Sequence, residues 1–545
     1  MRYNEVSKII GKFLYYFALV LIIPFFVALY YQYIYVTPQP NSSLAFFETI
    51  VVTLILSGIF LFFGRNASGI YFRRESVLIV LLIWVLSSVI SALPFYFSKT
   101  LTDPADCLFE SVSGLTTTGA SVICPKLYDK SGKKEVQYVV QNQHFPRTFY
   151  KFYGTIEPVK DSSGNILYDG VEAVSHAILF WRSFTQWLGG IGIVLLFLTV
   201  LPALAVGGKF LLQAEMTGPV KDTIAPRIKD TASLLWKLYL GLTILEVLAL
   251  IITNRNMQIL DAFCITFSNL STGGYAIKNN AIAAYNSLIT EWIVIIFMFI
   301  GSINFALYFY CLKGKFYKIY EPDFVLFVAI TIIGCIIVTY FLNGSKIYGL
   351  DGTEQGVYTL SSAIREGTFH AISAQTSTGF VTTDIAKWPY QTQLFMVFLM
   401  YVGGMSGSTA GGIKTSRIYI LYKIIKYKIE EIFRPNTIRP LKIGEKEISN
   451  STSTTVLTFF CLVAIFSIIG IILYVLDHIE IETTMSTIAC MLNNVGFAFG
   501  VAGPTTSFAF MHTFSKLLSS FLMLLGRLEY FIIIIAFAPF FWKIK

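Results

Sequence analysis

Ten stretches of this 545-residue chain are apolar over about 20 residues or more, the length a helix needs to cross a bilayer. They lie at 13–31, 45–63, 77–97, 174–206, 233–253, 290–312, 324–342, 391–422, 455–476 and 514–542. A hydrated globule cannot bury so many such runs. Charged residues are only 13% of the sequence, against about 25% in soluble domains. The hydrophobic share of 55% excludes disorder. The chain therefore reads as an all-α polytopic membrane protein with ten transmembrane helices. The first run, FLYYFALVLIIPFFVALYY, follows basic residues but precedes no small-residue cleavage site, so it reads as a retained helix rather than a signal peptide. Seven cysteines without a CxxC pair and five histidines without paired spacing suggest neither a disulfide framework nor a metal-enzyme site. No cofactor is expected in the chain.

The net charge of +9 is informative by position. Arg2, Lys8 and Lys12 precede the first run, and Arg65, Arg73 and Arg74 follow the second. Lys209, Lys221, Arg227 and Lys229 follow the fourth; Lys313, Lys315 and Lys318 follow the sixth. The segment 414–446 carries nine basic residues, from Lys414 to Lys446, and Lys543 and Lys545 close the chain. Every even-numbered gap is basic, which predicts both termini on the cytoplasmic side. The excess follows membrane topology, so nucleic acid is not an expected partner. On the outer side, 122–172 is a long polar insertion of mixed charge, expected to have its own irregular structure.

Four short segments repeat between these runs: DCLFESVSGLTTTGAS (106–121), DAFCITFSNLSTGGYA (261–276), EGTFHAISAQTSTGFV (366–381) and ETTMSTIACMLNNVGFAFG (482–500). Each opens with an acid and reaches a glycine, aligned here as Gly119, Gly273, Gly379 and Gly496. Phe109, Phe263 and Phe369 then fall ten residues before their glycines. The preceding residues are Thr117-Thr118, Ser271-Thr272, Ser377-Thr378 and Asn494-Val495. About twelve helical residues rise roughly 18 Å, half a bilayer, so each segment must enter and return on one side. Its irregular backbone must be buried in protein or line water. The acid suits the helix N-terminus, and the C-terminus then presents partial negative charge at membrane depth, where a cation gains. Ordinary small-residue helix contacts could produce one such loop. Four in phase point to four re-entrant pore loops.

The unit of span, pore loop and span, four times in one chain, resembles the Trk/Ktr/HKT superfamily of potassium transporters. Supporting runs are WRSFTQWLGGIGIV (181–194), APRIKDTASLLW (225–236), GGMSGSTAGGIKTSR (403–417) and LLGRLEYF (524–531). Two spans before the repeats and the long insertion resemble the Trk-type membrane subunit. The resemblance implies fourfold pseudo-symmetry with boundaries at 1–70 (two extra helices), 71–207, 208–318, 319–446 and 447–545. It also implies potassium uptake across the plasma membrane (the inner membrane of a bacterium), with rubidium and, more weakly, sodium admitted. The selectivity filter it implies is Thr117, Thr118, Gly119, Ser271, Thr272, Gly273, Ser377, Thr378, Gly379, Asn494, Val495 and Gly496. Four glycines favour potassium over sodium; Phe497, where Trk-type sequences carry proline, is a departure. Membrane lipid, a homodimer and a cytoplasmic nucleotide-binding regulatory ring (TrkA-like) docking on 414–446 are the implied partners.

The run 403–415 interrupts the eighth span with Gly403, Gly404, Gly407, Gly411 and Gly412, beside Ser408, Thr409 and Lys414. Each glycine costs a helix about 1 kcal/mol against alanine. The resemblance implies an intramembrane gate loop; a packed glycine kink is the plain alternative. As a phosphate loop the spacing is one residue too long. Arg527, within the last span and near Glu529, is either an electrostatic barrier beside the pore, as the resemblance implies, or an ion-pair partner. Arg182 sits within snorkelling reach of the outer interface, Gln186 is a weak candidate, and Glu246 reads as a packing hydrogen-bond partner. Two rivals remain: a sodium-permeable or Na+/H+-coupled symporter of the same fold, and a membrane enzyme or sensor. The latter would need convergent acids, histidines or cysteines that the sequence does not offer.

Overall fold

The computed structural model describes residues 1–69, 72–129, 134–141, 149–192, 228–434, 442–443 and 446–543. Helices α1 (Tyr3–Leu29) and α2 (Ser43–Phe63) pack as a hairpin because glycines remove side chains where they cross. A Cβ on Gly11 would lie 2.8 Å from the backbone nitrogen of Leu61, and one on Gly64 would lie 2.5 Å from that of Lys8. Without a hydrophobic drive between helices in lipid, such close backbone approach is a main source of association. Ser57 Oγ adds a 2.7 Å bond to the Gly11 carbonyl.

Beyond the hairpin the order long helix, short helix, closing helix recurs, and the closing helix is broken in the last three units. The long members are α3 (Arg73–Phe97), α6 (Ile228–Thr253), α10 (Pro322–Leu342) and α14 (Asn450–Leu476). The short members are α4 (Pro104–Leu115), α7 (Ile259–Leu270), α11 (Leu360–Gln375) and α15 (Ile481–Asn493). The closing members are α5 (His176–Gly190), α8 (Leu288–Gly301) with α9 (Phe305–Leu312), α12 (Tyr390–Tyr401) with α13 (Thr415–Phe433), and α16 (Thr513–Arg527) with α17 (Phe531–Phe537). Asp103 and Pro104 start α4 as their sequence predicts, with Asp103 Oδ1 accepting from the Ala105 N–H at 2.9 Å.

Among the described residues six helices are long and apolar enough to cross a membrane. Two further pairs are bent, α8–α9 by 93° and α16–α17 by 116°. The expected run 391–422 is divided by the segment 402–414 between α12 and α13. Residues 193–206 of the run 174–206, the basic residues Lys209, Lys221, Arg227 and Arg439, and the repeat boundary at 207 lie outside the described residues.

The outward faces of the long helices are apolar, while the inner helices bury small hydroxyl residues within an apolar core. Ile332, Ile333 and Ile336 of α10 and Ile465 and Ile468 of α14 face outward, whereas the inner helices bury Ser111, Ser113, Thr266, Ser268 and Ser373. Each short helix packs on the closing helix of the preceding unit: α7 on α5, α11 on α8, α15 on α12 and α4 on α16. That last contact joins the first unit to the fourth and closes a circle. A buried ion pair between Asp106 and Lys516, at 2.5 Å, fastens it.

The fold departs from all-α in five short antiparallel hairpins among the described residues. Three lie in 122–172, which is therefore less irregular than expected: Leu127–Tyr128 with Glu135–Val136, Tyr138–Gln141 with Phe149–Phe152, and Val159–Lys160 with Ile166–Tyr168. Aromatic and β-branched residues supply the strands. Asp161 Oδ1 accepts from the N–H groups of Ser163 and Asn165, at 2.9 and 2.8 Å, and so turns the last hairpin. Replacing Gly11 by leucine should overpack the α1–α2 crossing and cost about 1–3 kcal/mol. Thermal unfolding of the purified variant in detergent checks this, and an unchanged midpoint would remove the close-approach argument.

Candidate ion pathway

Each short helix ends in the same backbone turn. Thr117, Thr272, Ser377 and Asn494 all lie in the left-handed region, at φ of 55°, 55°, 54° and 55°. Two residues later a glycine does so again: Gly119 at 81°, Gly274 at 76°, Gly379 at 82° and Gly496 at 105°. A non-glycine residue there costs on the order of 1 kcal/mol or more, so four in register mark an imposed geometry. The turns are also bonded alike. The N–H groups of Thr118, Gly273, Thr378 and Val495 donate to the carbonyls of Ser113, Ser268, Ser373 and Cys490, at 2.9, 2.7, 2.9 and 3.0 Å.

This backbone phase moves the second segment by one residue from its sequence alignment. Gly274, not Gly273, is the counterpart of Gly119, Gly379 and Gly496, and Thr272 rather than Ser271 is the counterpart of Thr117. Gly273 thus stands where the other segments have Thr118, Thr378 and Val495, and Ser271 falls one position outside the turn, level with Thr116 and Thr376. The inner face agrees with the shift. Cys264 is fully buried at the place of Phe109 and Phe369, while Phe263 is 38% exposed. Two adjacent glycines made the sequence phase ambiguous there.

The four turns meet head to tail. A Cβ on Gly119 would strike the carbonyl oxygen of Gly273, one on Gly274 that of Thr378, one on Gly379 that of Val495, and one on Gly496 that of Thr118. A cavity of about 450 Å³ touches all four of these glycines. Beside the fourth turn, a space of about 10 Å³ lies between Gly411, Gly412, Asn493, Asn494 and Arg527. That is room for about one water molecule.

Residues 402–414 bond to neighbours from several units. The Thr409 hydroxyl donates to the carbonyls of Leu270 and Gly301 at 3.0 and 2.9 Å, and lies 3.4 Å from the Thr272 hydroxyl. The Gly411 N–H donates to Ser377 Oγ at 2.5 Å, and a Cβ on Gly411 would strike the Asn493 carbonyl. The Gly403 N–H donates to the Ile413 carbonyl at 3.0 Å, tying the two ends together. A Cβ on Gly404 would press on Ala410 at 2.7 Å, while Gly407 and Gly412 take positive φ of 75° and 68°. Ser408 Oγ donates locally to the Met405 carbonyl at 2.7 Å, and Lys414 Nζ caps the Ala410 carbonyl. Arg527 donates to the Thr409 carbonyl at 2.8 Å and to those of Gly189 and Gly190 at 2.6 and 3.0 Å. Glu529 pairs with Arg417 at 2.5 Å, beneath the Phe459 ring.

The chain belongs to the TrkH family of cation transport proteins. The family model described as "TrkH: Cation transport protein" matches residues 159–544. The chain is 30% identical to Trk system potassium uptake protein TrkH of Salmonella typhimurium over 550 residues, with 100% of each covered. It is 31% identical to Trk system potassium uptake protein TrkG of Escherichia coli K12 over 544 residues, covering 99% of this chain and 98% of that protein. The crystal structure of the potassium transporter TrkH from Vibrio parahaemolyticus superposes with a TM-score of 0.79 at 26% identity, covering 100% of both chains.

In this TrkH-family chain a buried ion pair stands behind the first two turns, and sequence reasoning undervalued it. Arg182 does not snorkel: it is 2% exposed, and its Nη2 lies 2.7 Å from Glu110 Oε1. Its Nη1 donates to the Ala276 carbonyl at 3.2 Å, and its guanidinium stacks 4.1 Å above the Tyr275 ring. Tyr275 in turn donates its hydroxyl proton to the Glu110 carbonyl at 2.8 Å. The available signal was Glu110 itself, an acid inside an apolar half-span. Glu246 accepts from Asn269 Nδ2 at 2.5 Å, in keeping with a packing role. Changing Glu110→Leu leaves Arg182 buried without its counter-charge and should cost about 3–5 kcal/mol. Adding Arg182→Met should recover much of that loss, as read by thermal unfolding of the single and double variants.

Proposed function

We propose that this chain carries potassium across the plasma membrane through one central path formed by four pore loops. The observation that carries the proposal is the closed ring in which each left-handed glycine abuts a carbonyl of the next loop. In this reading ten spans surround four re-entrant loops in units 71–207, 208–318, 319–446 and 447–545, after two extra helices in 1–70. The carbonyls of Thr117, Thr118, Thr272, Gly273, Ser377, Thr378, Asn494 and Val495 replace the ion's hydration shell. The C-terminal ends of α4, α7, α11 and α15 add their partial negative charge. Gly119, Gly274, Gly379 and Gly496 let the loops come close enough to form the ring.

Residues 403–415 form the gate. Their bonds to Leu270, Gly301 and Ser377, and the bond from Arg527 to Thr409, hold the segment beside the turns. Arg527 also places positive charge there, opposing cation passage while the segment is in place. Both termini are cytoplasmic in this reading, which rests on the basic even-numbered gaps. A homodimer with a cytoplasmic nucleotide-binding ring on 414–446 completes this reading, supported by the family resemblance and by the basic residues of that segment.

Rubidium flux through the purified protein in liposomes, with sodium and proton gradients imposed separately, tests the reading. Flux that follows the rubidium gradient alone is expected, whereas flux driven by either other gradient would indicate a coupled carrier. Gly119→Ser should raise sodium permeation about tenfold, because its side chain displaces the Gly273 carbonyl and coarsens the ring. Unchanged sodium flux would count against the filter. Shortening 404–412 should raise rubidium uptake severalfold, and an equal or lower rate in a folded variant would sink the gate.

A further inference from the structure

The four loops are not equally braced at the ring. At the position before the left-handed glycine, three carry a side chain, namely Thr118, Thr378 and Val495, while the second carries Gly273. The ring therefore contains one Gly-Gly peptide, Gly273-Gly274, whose two flanking residues both lack a Cβ. Such a peptide rotates more freely than any of its three counterparts. The side chain of Gln186, from α5 of the first unit, fills the vacant place. Its Nε2 donates to the Gly273 carbonyl at 2.8 Å, and its Oε1 accepts from the Tyr275 N–H at 3.2 Å. One fully buried amide thus ties the carbonyl of the flexible peptide to the N–H of the peptide after it. A Cβ on Gly273 would lie 2.5 Å from the Gln186 amide carbon, so glycine and glutamine occupy this space as complementary partners. One turn earlier on the same helix, Arg182 grips the Ala276 carbonyl, extending the brace along the loop.

We infer that Gln186 is a selectivity-determining positioning residue, which holds the Gly273 carbonyl in the ring and prevents the Gly273-Gly274 peptide from turning it away. The inference rests on the four-loop pathway proposed above. Discrimination between potassium and sodium depends on the number and placement of carbonyls around the ion. If one of them is free to rotate, the ring accepts the smaller ion more readily while conduction itself continues. Gln186 touches no ion; it acts through Gly273.

The test compares rubidium and sodium flux in liposomes for the full-length protein and three variants. Gln186→Met keeps the side-chain length and removes both hydrogen bonds. It is expected to lower the rubidium-to-sodium flux ratio about fivefold, the worth of roughly one net hydrogen bond at the Gly273 carbonyl, with a lower thermal unfolding midpoint but a still cooperative transition. Gly273→Ala alone should nearly abolish flux, since its methyl group meets the Gln186 amide. Combining Gly273→Ala with Gln186→Ala should restore flux, because the second change vacates the space and the new Cβ restrains the peptide. A wild-type ratio in Gln186→Met, or a double variant no more active than Gly273→Ala, overturns the role of Gln186. A wild-type protein without selective rubidium flux would instead overturn the parent reading, so the two failures are distinct.

Discussion

The interior of this chain depends on backbone meeting backbone where a side chain would not fit. At Gly119, Gly274, Gly379 and Gly496 the neighbour across the gap is a carbonyl oxygen, and even a methyl group would strike it. Backbone groups at membrane depth find no hydrogen-bond partners in lipid. Irregular segments therefore survive only where other protein surrounds them or where they line water, and here each turn abuts the next beside one shared cavity. The four short helices have this placement in common because each leans on the closing helix of the unit before it. The apolar exterior then follows, since only the outward faces of the long helices remain for the lipid.

Membrane class, the four short segments and the glycine-rich break were legible in the sequence because each leaves a periodic or compositional trace. Twelve-residue segments between twenty-residue ones are visible as lengths. Phase was legible only where one glycine stood alone. In the second segment Gly273 and Gly274 compete, and Phe263 supplied a tempting but false landmark; the burial of Cys264 and the dihedral of Gly274 identify the true one. Arg182 and Gln186 were underrated for a different reason. Their partners Glu110, Gly273 and Tyr275 are far away in sequence, and a charge in an apolar run carries no sign of which distant group meets it. The hairpins of 122–172 escaped notice because their strands are too short to show alternation.

The segment 402–414 differs from the rest of the interior in how it is held. The ring turns are bonded first to their own helices, whereas this segment is held by bonds to Leu270, Gly301, Ser302, Ser377 and Arg527 from separate elements. A net hydrogen bond is worth about 1 kcal/mol. Each such bond is small beside the packing of the helices, so the segment depends on several of them together. Arg527 joins the two sides of this arrangement, reaching from Thr409 to the end of α5 at Gly189 and Gly190.

The contact of α4 with α16 has a consequence for how the protein is made. Asp106 stands in the first unit and its partner Lys516 in the last. At a synthesis rate of about 5–20 residues per second, the carboxylate enters the membrane roughly 20–80 seconds before the ammonium group that pairs with it. During that interval the circle is open and α4 has one flank without its final neighbour. The half-built bundle therefore has a polar edge at Asp106 until the last unit arrives. A ribosome stalled before residue 516 would leave an open bundle rather than a narrower version of the finished protein.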